Sequence, residues 1–368
     1  MGQKLGRDVS SHSKKESQTP AGNPLPHLIH AELSAAQLGA GRLIVVGDVH
    51  GCPDELKILL RKCQFQQGSD VLAFNGDIIN KGPKSVQAID LIQSLGGIVV
   101  RGNQDDKALA QYVQWQSGEP LEEKSKWLEE LGAERAEWLK QLPFSLSVPC
   151  LKLLVVHAGL IPGIPLKEQS LKTLTELRTL PANAFLPDGI ADSDSSDKQL
   201  DAYPSLHAEP KLDETEVPWA SLWKGPQHVV FGHDAGRKLQ TWPCATGLDT
   251  GCCYGGQLTA LVIPSPHKQT NTASMPAQDR SAGCSTCTDQ STVQHSSVQE
   301  YAQQAEDNLV GSGDVDTIDT GPSLSHNAAG TQAQDSGSVP SLSDLDASLI
   351  LVPAKKIYSK KKKIKPDL

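Results

Sequence analysis

Two aspartates, one asparagine and three histidines stand at the ends of short apolar runs, each close to a glycine: Gly47-Asp48-Val49-His50-Gly51, Gly76-Asp77, Gly102-Asn103, His157-Ala158-Gly159 and Gly232-His233. Carboxylate, amide and imidazole donors in this mixture suit Mn, Fe or Zn better than Mg or Ca alone. If one carboxylate is shared, six ligands serve two ions. The glycines permit tight turns and let a metal or phosphate approach the backbone closely. Singly these motifs are weak, because Gly-Asp after a strand is usually a turn and a lone His is usually a core or surface residue. Five of them in order along one chain point to a single site.

The runs that carry them lie at 43–46, 71–74, 98–100, 153–156 and 229–231 and are short and rich in Val and Ile, the pattern of buried strands. Between the first three lie 53–63 and 84–95, whose apolar positions recur every three or four residues and predict helices. Strand, helix, strand in this order gives βαβ crossovers and an α/β fold. Ligands of such folds sit beyond the carboxyl ends of the strands, so five strand ends can aim side chains into one crevice. Residues 105–142, with Trp115, Trp127 and Trp138, read as two or three further helices, and the acidic stretch 186–216 as a surface loop.

At 368 residues the chain is long enough for two average domains, but its composition divides it differently. Residues 1–40 show no sustained apolar period and read as a flexible arm; 41–264 hold the long apolar runs and all five Phe, enough for a sizeable core. Residues 265–345 are rich in Ser, Thr, Gln, Asp and Gly with Tyr301 as their sole aromatic, and read as a disordered insert. After it, 346–358 contain the run Leu349-Ile350-Leu351-Val352, which has the length and branching of a last strand, pairing with 258–263 across the insert.

The formal charge of −9 argues against a surface built to hold nucleic acid non-specifically. The basic tail 359–368, preceded by Lys355 and Lys356, is the local exception: it suits RNA, polyphosphate or a nuclear import receptor, and equally a solvated end. Eight cysteines in a chain without an apolar leader or membrane span point to unpaired thiols, a reducing compartment and the cytoplasm, with no membrane partner. Met1-Gly2 has the start of a myristoylation signal, but Gly6 stands where Ser or Thr is wanted, so lipidation is not expected. Cys284 and Cys287 have no second pair nearby to close a zinc site. No feature selects an oligomeric state.

At the five ligand-bearing motifs the sequence resembles the phosphoprotein phosphatase group of calcineurin-like metallophosphoesterases, whose signatures are GDxHG, GDxxx[RK]G, GNH[DE], HAG and GH. The narrower resemblance is to the ApaH-like branch, related to the bacterial enzymes that split diadenosine tetraphosphate. It is carried by GDIINKGP at 76–83, HAGLIPG at 157–163, VFGHD at 230–234, TGLDTGCCYGGQLTAL at 246–261 and VPAKK at 352–356. It implies central mixed β-sheets flanked by helices over 42–264 and 346–358. It also implies a phosphatase with two divalent metal ions: Asp48 and His50 on the first, Asp77 bridging, and Asn103, His157 and His233 on the second. Lys81 stands where the family places a phosphate-binding cation. Arg178 and Arg237 are further phosphate candidates or plain surface residues, and Tyr254 either flanks the substrate or belongs to the core.

One departure bears on the substrate. The third signature supplies a His as general acid, and here the residue is Gln104; the carboxylate partner of that His in protein-directed members is replaced by Asn80. A Gln donates no proton to a leaving group. A serine alkoxide leaves poorly without one, whereas a phosphate leaving group has a second pKa of about 6. Anhydride substrates are therefore expected: nucleoside polyphosphates, inorganic polyphosphate or capped RNA ends. Asp105 or Asp106 is the remaining proton source that would restore a protein Ser/Thr or Tyr phosphatase. A catalytically impaired module that binds metal and phosphate for regulation is the reading of a different class.

Overall fold

The structure, a computed structural model, describes residues 17–182, 216–265 and 339–360. The expectations for residues 1–16, the acidic stretch up to 215, the insert over 266–338 with Cys284 and Cys287, and the lysines after 360 lie outside the described residues.

In chain order the elements are β1 (His30–Glu32), α1 (Ala35–Leu38), β2 (Leu43–Val46), α2 (Pro53–Lys62), β3 (Val71–Phe74), α3 (Ser85–Ser94), β4 (Ile98–Val99) and α4 (Asn103–Gln116). A 3-10 turn over Glu123–Glu130 leads to α5 (Gly132–Lys140), β5 (Ser145–Val148), β6 (Leu153–Val156), α6 (Leu171–Glu176) and β7 (Thr179–Pro181). Then come β8 (Glu216–Pro218), α7 (Trp219–Leu222), β9 (His228–Phe231), β10 (Gln240–Trp242), β11 (Ala245–Gly247), β12 (Gln257–Ile263) and β13 (Ser348–Pro353).

These strands build two large mixed sheets. One has the order β13-β12-β2-β3-β4, the other β1-β5-β6-β9-β11-β10, and β7 pairs with β8 beside them. In the first, β2, β3 and β4 run parallel, and β12 pairs antiparallel with both β2 and β13. In the second, β6, β9 and β11 are parallel.

The two sheets face each other, and strand periodicity shows why the apolar runs are continuous. Leu43 and Val45 of β2 join Leu153, Val155 and Val230 between the sheets, while Ile44 and Val46 turn to the other face and pack with Leu56 and Leu59 of α2. Each β2 side chain is fully buried, a contribution of about 1.5–3 kcal/mol apiece. On the second sheet Leu154, Val156, Val229 and Phe231 meet Leu174 of α6 and Trp219 of α7. Helix α2 begins with Pro53 at its first position, carries Asp54 and Glu55 in its first turn and Arg61 and Lys62 in its last, in accord with the helix dipole. Among the described residues no helix is long and apolar enough to cross a membrane.

Two findings correct the sequence reading. The flexible arm is wrong for its described part: residues from Thr19 onward form a strap across the domain. Asn23 is buried, its Nδ2 donating to the Asp106 carbonyl (2.7 Å) and to Asp106 Oδ1 (2.8 Å), and the Ala21 N–H donates to Asp106 Oδ2 (3.0 Å). Further along, β1 adds to β5 in parallel, and Leu25 and Ile29 rest on the core. The strap escaped a periodicity search because its anchors are side-chain to backbone bonds and isolated apolar residues. Secondly, residues 339–345, read as insert, pack on the domain: the His228 ring bonds the Pro340 carbonyl (3.1 Å), and Leu342 and Leu345 join the intersheet core.

Candidate metal centre

The motifs converge where the two sheets meet, rather than along one open sheet. Asp48 and His50 follow β2, Asp77 follows β3, and Asn103 opens α4 just after β4, all from the first sheet; His157 follows β6 and His233 follows β9, both from the second. Backbone strain is concentrated here. His50, Asp77, Asn80, Lys81 and His233 all have φ between 47° and 68°, five of the nine non-glycine residues with positive φ among those described. Such conformations persist only where the surroundings over-determine them, and they gather at functional sites.

Asp77 lies between two groups of donors. Its Oδ2 is 3.6 Å from His50 Nε2, which is 3.8 Å from Asp48 Oδ2; its Oδ1 is 3.3 Å from His157 Nε2. His157 Nε2 in turn is 3.2 Å from Asn103 Oδ1 and 3.2 Å from His233 Nδ1. Two clusters thus share one carboxylate, Asp48-His50-Asp77 and Asp77-His157-His233, each with ligand atoms within 4.8 Å of one another. Neighbours fix which ring nitrogens are free. His50 Nδ1–H donates to the Ile79 carbonyl (3.1 Å) and His157 Nδ1–H to the Asn75 carbonyl (3.0 Å), so both present Nε2 lone pairs to the centre.

The electrostatics call for cations. Burial, with Asp249 and Asp77 nearby, pushes Asp48 well above the carboxylate range, and burial takes Asp249 up to about 6. Burial alone would raise Asp77 as well, but His157, His50 and Lys81 hold it below its ordinary value. Burial lowers His50 to about 3 and His233 to about 2, so these imidazoles are neutral and able to offer lone pairs to a cation. His233 Nε2 and the side-chain amide of Asn75 are buried without hydrogen-bond partners. The Lys81 ammonium reaches in to 2.9 Å from His50 Nε2 and 4.0 Å from Asp77 Oδ2, a positive charge where these donors attract one. This donor set fits two divalent ions.

Two glycines keep the ligands close. A Cβ on Gly102 would meet Asp77 Oδ1 at 2.2 Å, and one on Gly232 would meet Asp48 Oδ1 at 2.0 Å.

Of the outer candidates, Lys81 stands inside the site and Tyr254 beside it, with the ammonium 5.5 Å from the ring centroid. Arg178 reaches the rim, where it donates to the His233 carbonyl (3.2 Å) and lies 3.9 Å from Asp234. Arg237 instead forms an ion pair with Asp234, three residues earlier.

Asp105 and Asp106, the alternative proton donors, are both committed elsewhere. Asp105 accepts from the backbone N–H groups of Asp77 (2.8 Å), Ile78 (3.0 Å) and Gly102 (2.9 Å), tying together the two ligand loops. Asp106 holds the strap and is 3.3 Å from buried Arg101. Asn80 donates to the Gln104 carbonyl (3.1 Å) and accepts from Trp127 Nε1 (3.1 Å), so a distant indole orients the loop after the shared carboxylate. Sequence reasoning missed Asn75, Asp249 and Trp127 as parts of the site. Asn75 directly precedes Gly76-Asp77 and Asp249 lies within the quoted TGLDTG run, so position alone could have flagged those two.

Comparison with known proteins agrees with this geometry. Residues 41–237 match the calcineurin-like phosphoesterase family. Symmetrical bis(5'-nucleosyl)-tetraphosphatases of Citrobacter koseri and Sodalis glossinidius are 31% and 32% identical to this chain over 264 and 253 residues, covering 59% of this chain and 89% of each relative. A crystal structure described as a candidate diadenosine tetraphosphatase is 33% identical, with a TM-score of 0.50, and covers 65% of this chain and 95% of its own. The chain therefore belongs to the calcineurin-like phosphoesterase family, in its ApaH-like branch, and is a metal-dependent hydrolase of phosphoric ester or anhydride bonds.

Proposed function

We propose that Asp48, His50, Asp77, Asn103, His157 and His233 hold two divalent ions and that the enzyme splits phosphoanhydride bonds, with nucleoside polyphosphates as first substrates and inorganic polyphosphate or capped RNA ends in the same class. When bound, the ions supply Lewis acidity to the phosphoryl oxygens and to the attacking water. The protein does the rest by position. Asp77 is shared between the clusters and fixes their separation; His50 and His157 are held neutral and turned by backbone carbonyls. Lys81 offers a point charge to a phosphate oxygen, and Arg178 a second cation at the rim.

The observation that carries the choice of bond is residue 104, which is Gln where the resembled family has its general acid, while the neighbouring Asp105 and Asp106 are turned to backbone N–H groups, Asn23 and Arg101. A phosphate leaves without help; a serine alkoxide does not. The relatives named as symmetrical tetraphosphatases act on such a substrate, in keeping with this reading. We place the activity in the cytoplasm from the thiol usage of the chain.

The deciding experiment is a hydrolysis panel with Mn, Zn or Co. Diadenosine tetraphosphate, nucleoside triphosphate, inorganic polyphosphate and capped RNA are compared with phosphoserine and phosphotyrosine peptides. Turnover confined to the anhydrides supports the proposal. Turnover of the peptides at equal rates returns the site to protein phosphatases, and binding without any turnover assigns it to regulation.

A further inference from the structure

The segment after β13 is pinned to the loop that carries Tyr254, beside the metal centre. The Ala354 N–H donates to the Gly256 carbonyl (2.8 Å), the Tyr358 and Ser359 N–H groups to the Cys253 carbonyl (3.0 and 2.8 Å), and Ile357 forms a β-bridge with Tyr254. Buried Glu55 of α2 anchors the same segment, its Oε1 accepting from the Tyr358 hydroxyl (2.7 Å) and the Lys355 N–H (3.0 Å). Tyr254 also borders Lys81, so this one residue links the segment to the site.

This segment and α2 bring cations together on a chain whose formal charge is −9. Lys84 (2.8 Å) and Lys355 (3.9 Å) share the carboxylate of Asp54. Against an upward push from burial, Lys84, Lys355 and Lys57 hold Asp54 below its ordinary range, so three lysines face one acid. Lys356 and Lys360, both exposed, follow in the same segment, Lys356 with its ammonium 5.5 Å from the Tyr358 ring centroid. Apolar and aromatic groups lie among them: Ile357 is 66% exposed, one of three large apolar side chains so exposed among the described residues, and Tyr254 and Tyr358 are partly exposed.

We propose that Lys57, Lys84, Lys355, Lys356 and Lys360 form a shelf that binds the single-stranded RNA behind a 5′-terminal phosphate entering the metal centre, with Ile357 and Tyr254 taking a base. Cations alone would serve any polyanion. Interleaved apolar and aromatic faces serve one that carries bases, which inorganic polyphosphate lacks. The proposal rests on the phosphoanhydride reading only in saying which end of the strand enters the site.

The test is equilibrium binding to the full chain, by fluorescence anisotropy, of a short single-stranded RNA with a 5′-hydroxyl and a 3′ fluorophore, which the enzyme has no anhydride to cleave. Single-strand binding falls with salt by about 0.7 log units per phosphate neutralised, so K355A/K356A/K360A reduces the log–log slope by about 2. Ile357→Ser weakens binding at fixed salt and leaves the slope unchanged. An unchanged thermal midpoint in both variants excludes a folding defect. Equal slopes for the parent and the triple variant overturn the shelf. Competition by inorganic polyphosphate as strong as that by RNA, together with no effect of Ile357→Ser, overturns it as an RNA surface. If RNA binds as described while the hydrolysis panel fails, the anhydride reading falls and the shelf stands.

Discussion

Restoring a proton donor at position 104 should change which bonds this enzyme can break. Gln104 lies in the first turn of α4, with its backbone N–H on Asp77 Oδ1 (2.8 Å) and its carbonyl under Asn80 Nδ2 (3.1 Å), so its place beside the shared carboxylate is fixed by the main chain. A His there inherits that position. General acids typically contribute 10²- to 10⁴-fold, in proportion to the negative charge left on the departing oxygen. For an alkyl phosphate Gln104→His should therefore raise kcat by up to about 10²-fold, the low end applying because nothing yet orients the new ring. For an anhydride the change should stay within about threefold, since the departing phosphate already bears its charge. Adding Asn80→Asp would supply the missing carboxylate, but at a cost visible in the structure. Asn80 uses its amide hydrogen on the Gln104 carbonyl, and Asp would replace a donor by a repelling oxygen; loss of such a bond costs about 0.5–1.5 kcal/mol, or up to roughly tenfold in rate if it loosens Asn103. The double variant should thus gain on alkyl phosphates less than the full acid contribution and lose on anhydrides. The assay is steady-state kinetics on p-nitrophenyl, alkyl and anhydride substrates at fixed metal. An equal response from alkyl and anhydride substrates would falsify the idea that leaving-group protonation is what position 104 controls.

Three further outcomes are expected. Asp77→Asn weakens a donor common to both clusters and should abolish turnover and lower bound metal, measured by elemental analysis, with the circular dichroism of the native fold; full metal content with full activity would refute the shared role. Asn23→Ala removes two bonds to Asp106 in a buried setting and should lower stability by about 2 kcal/mol in denaturant unfolding; a change under about 0.5 kcal/mol would mean that the strap is not held there. Deleting residues 270–336 should leave a folded enzyme, whereas removing β13 as well should destabilise it by at least the roughly 1.5–3 kcal/mol of burying Val352, and equal unfolding midpoints for the two truncations would contradict the pairing with β12.

What the sequence disclosed was what period and motif encode. The apolar runs at 43–46, 71–74 and 153–156 coincide with β2, β3 and β6 because each is buried on both faces and so reads as an uninterrupted block. The donors at their ends then marked the site. β5, β10 and β11 escaped: Ser145-Leu146-Ser147-Val148 and the three-residue strands carry too few apolar residues to separate them from loops, and tertiary pairing alone makes them strands. The division into two sheets was illegible for the same reason, since it rests on which strands pair. Within the candidate site, the donors that come together could be read but not the parts that aim them: the bond from Trp127 to Asn80 spans 47 residues, and that from Asn23 to Asp106 spans 83. No local pattern records such a distance.

The pairing of β12 with β13 has a consequence for covalent integrity. Six residue pairs, Gln257 with Pro353 through Val262 with Ser348, join strands whose connecting sequence runs for more than eighty residues. Lys62 of α2 adds a bond to the Leu351 carbonyl (3.5 Å), and Tyr358 one to Glu55. A peptide bond cut between residues 266 and 338 therefore leaves the described contacts that seat the last strand in place. Such a cut would leave a two-chain enzyme that survives gel filtration intact and separates only in denaturant. Separately made halves, one ending after residue 265 and one beginning at 339, have the complementary surfaces to reassemble, which makes this connection a natural place to split the enzyme or to carry an inserted domain.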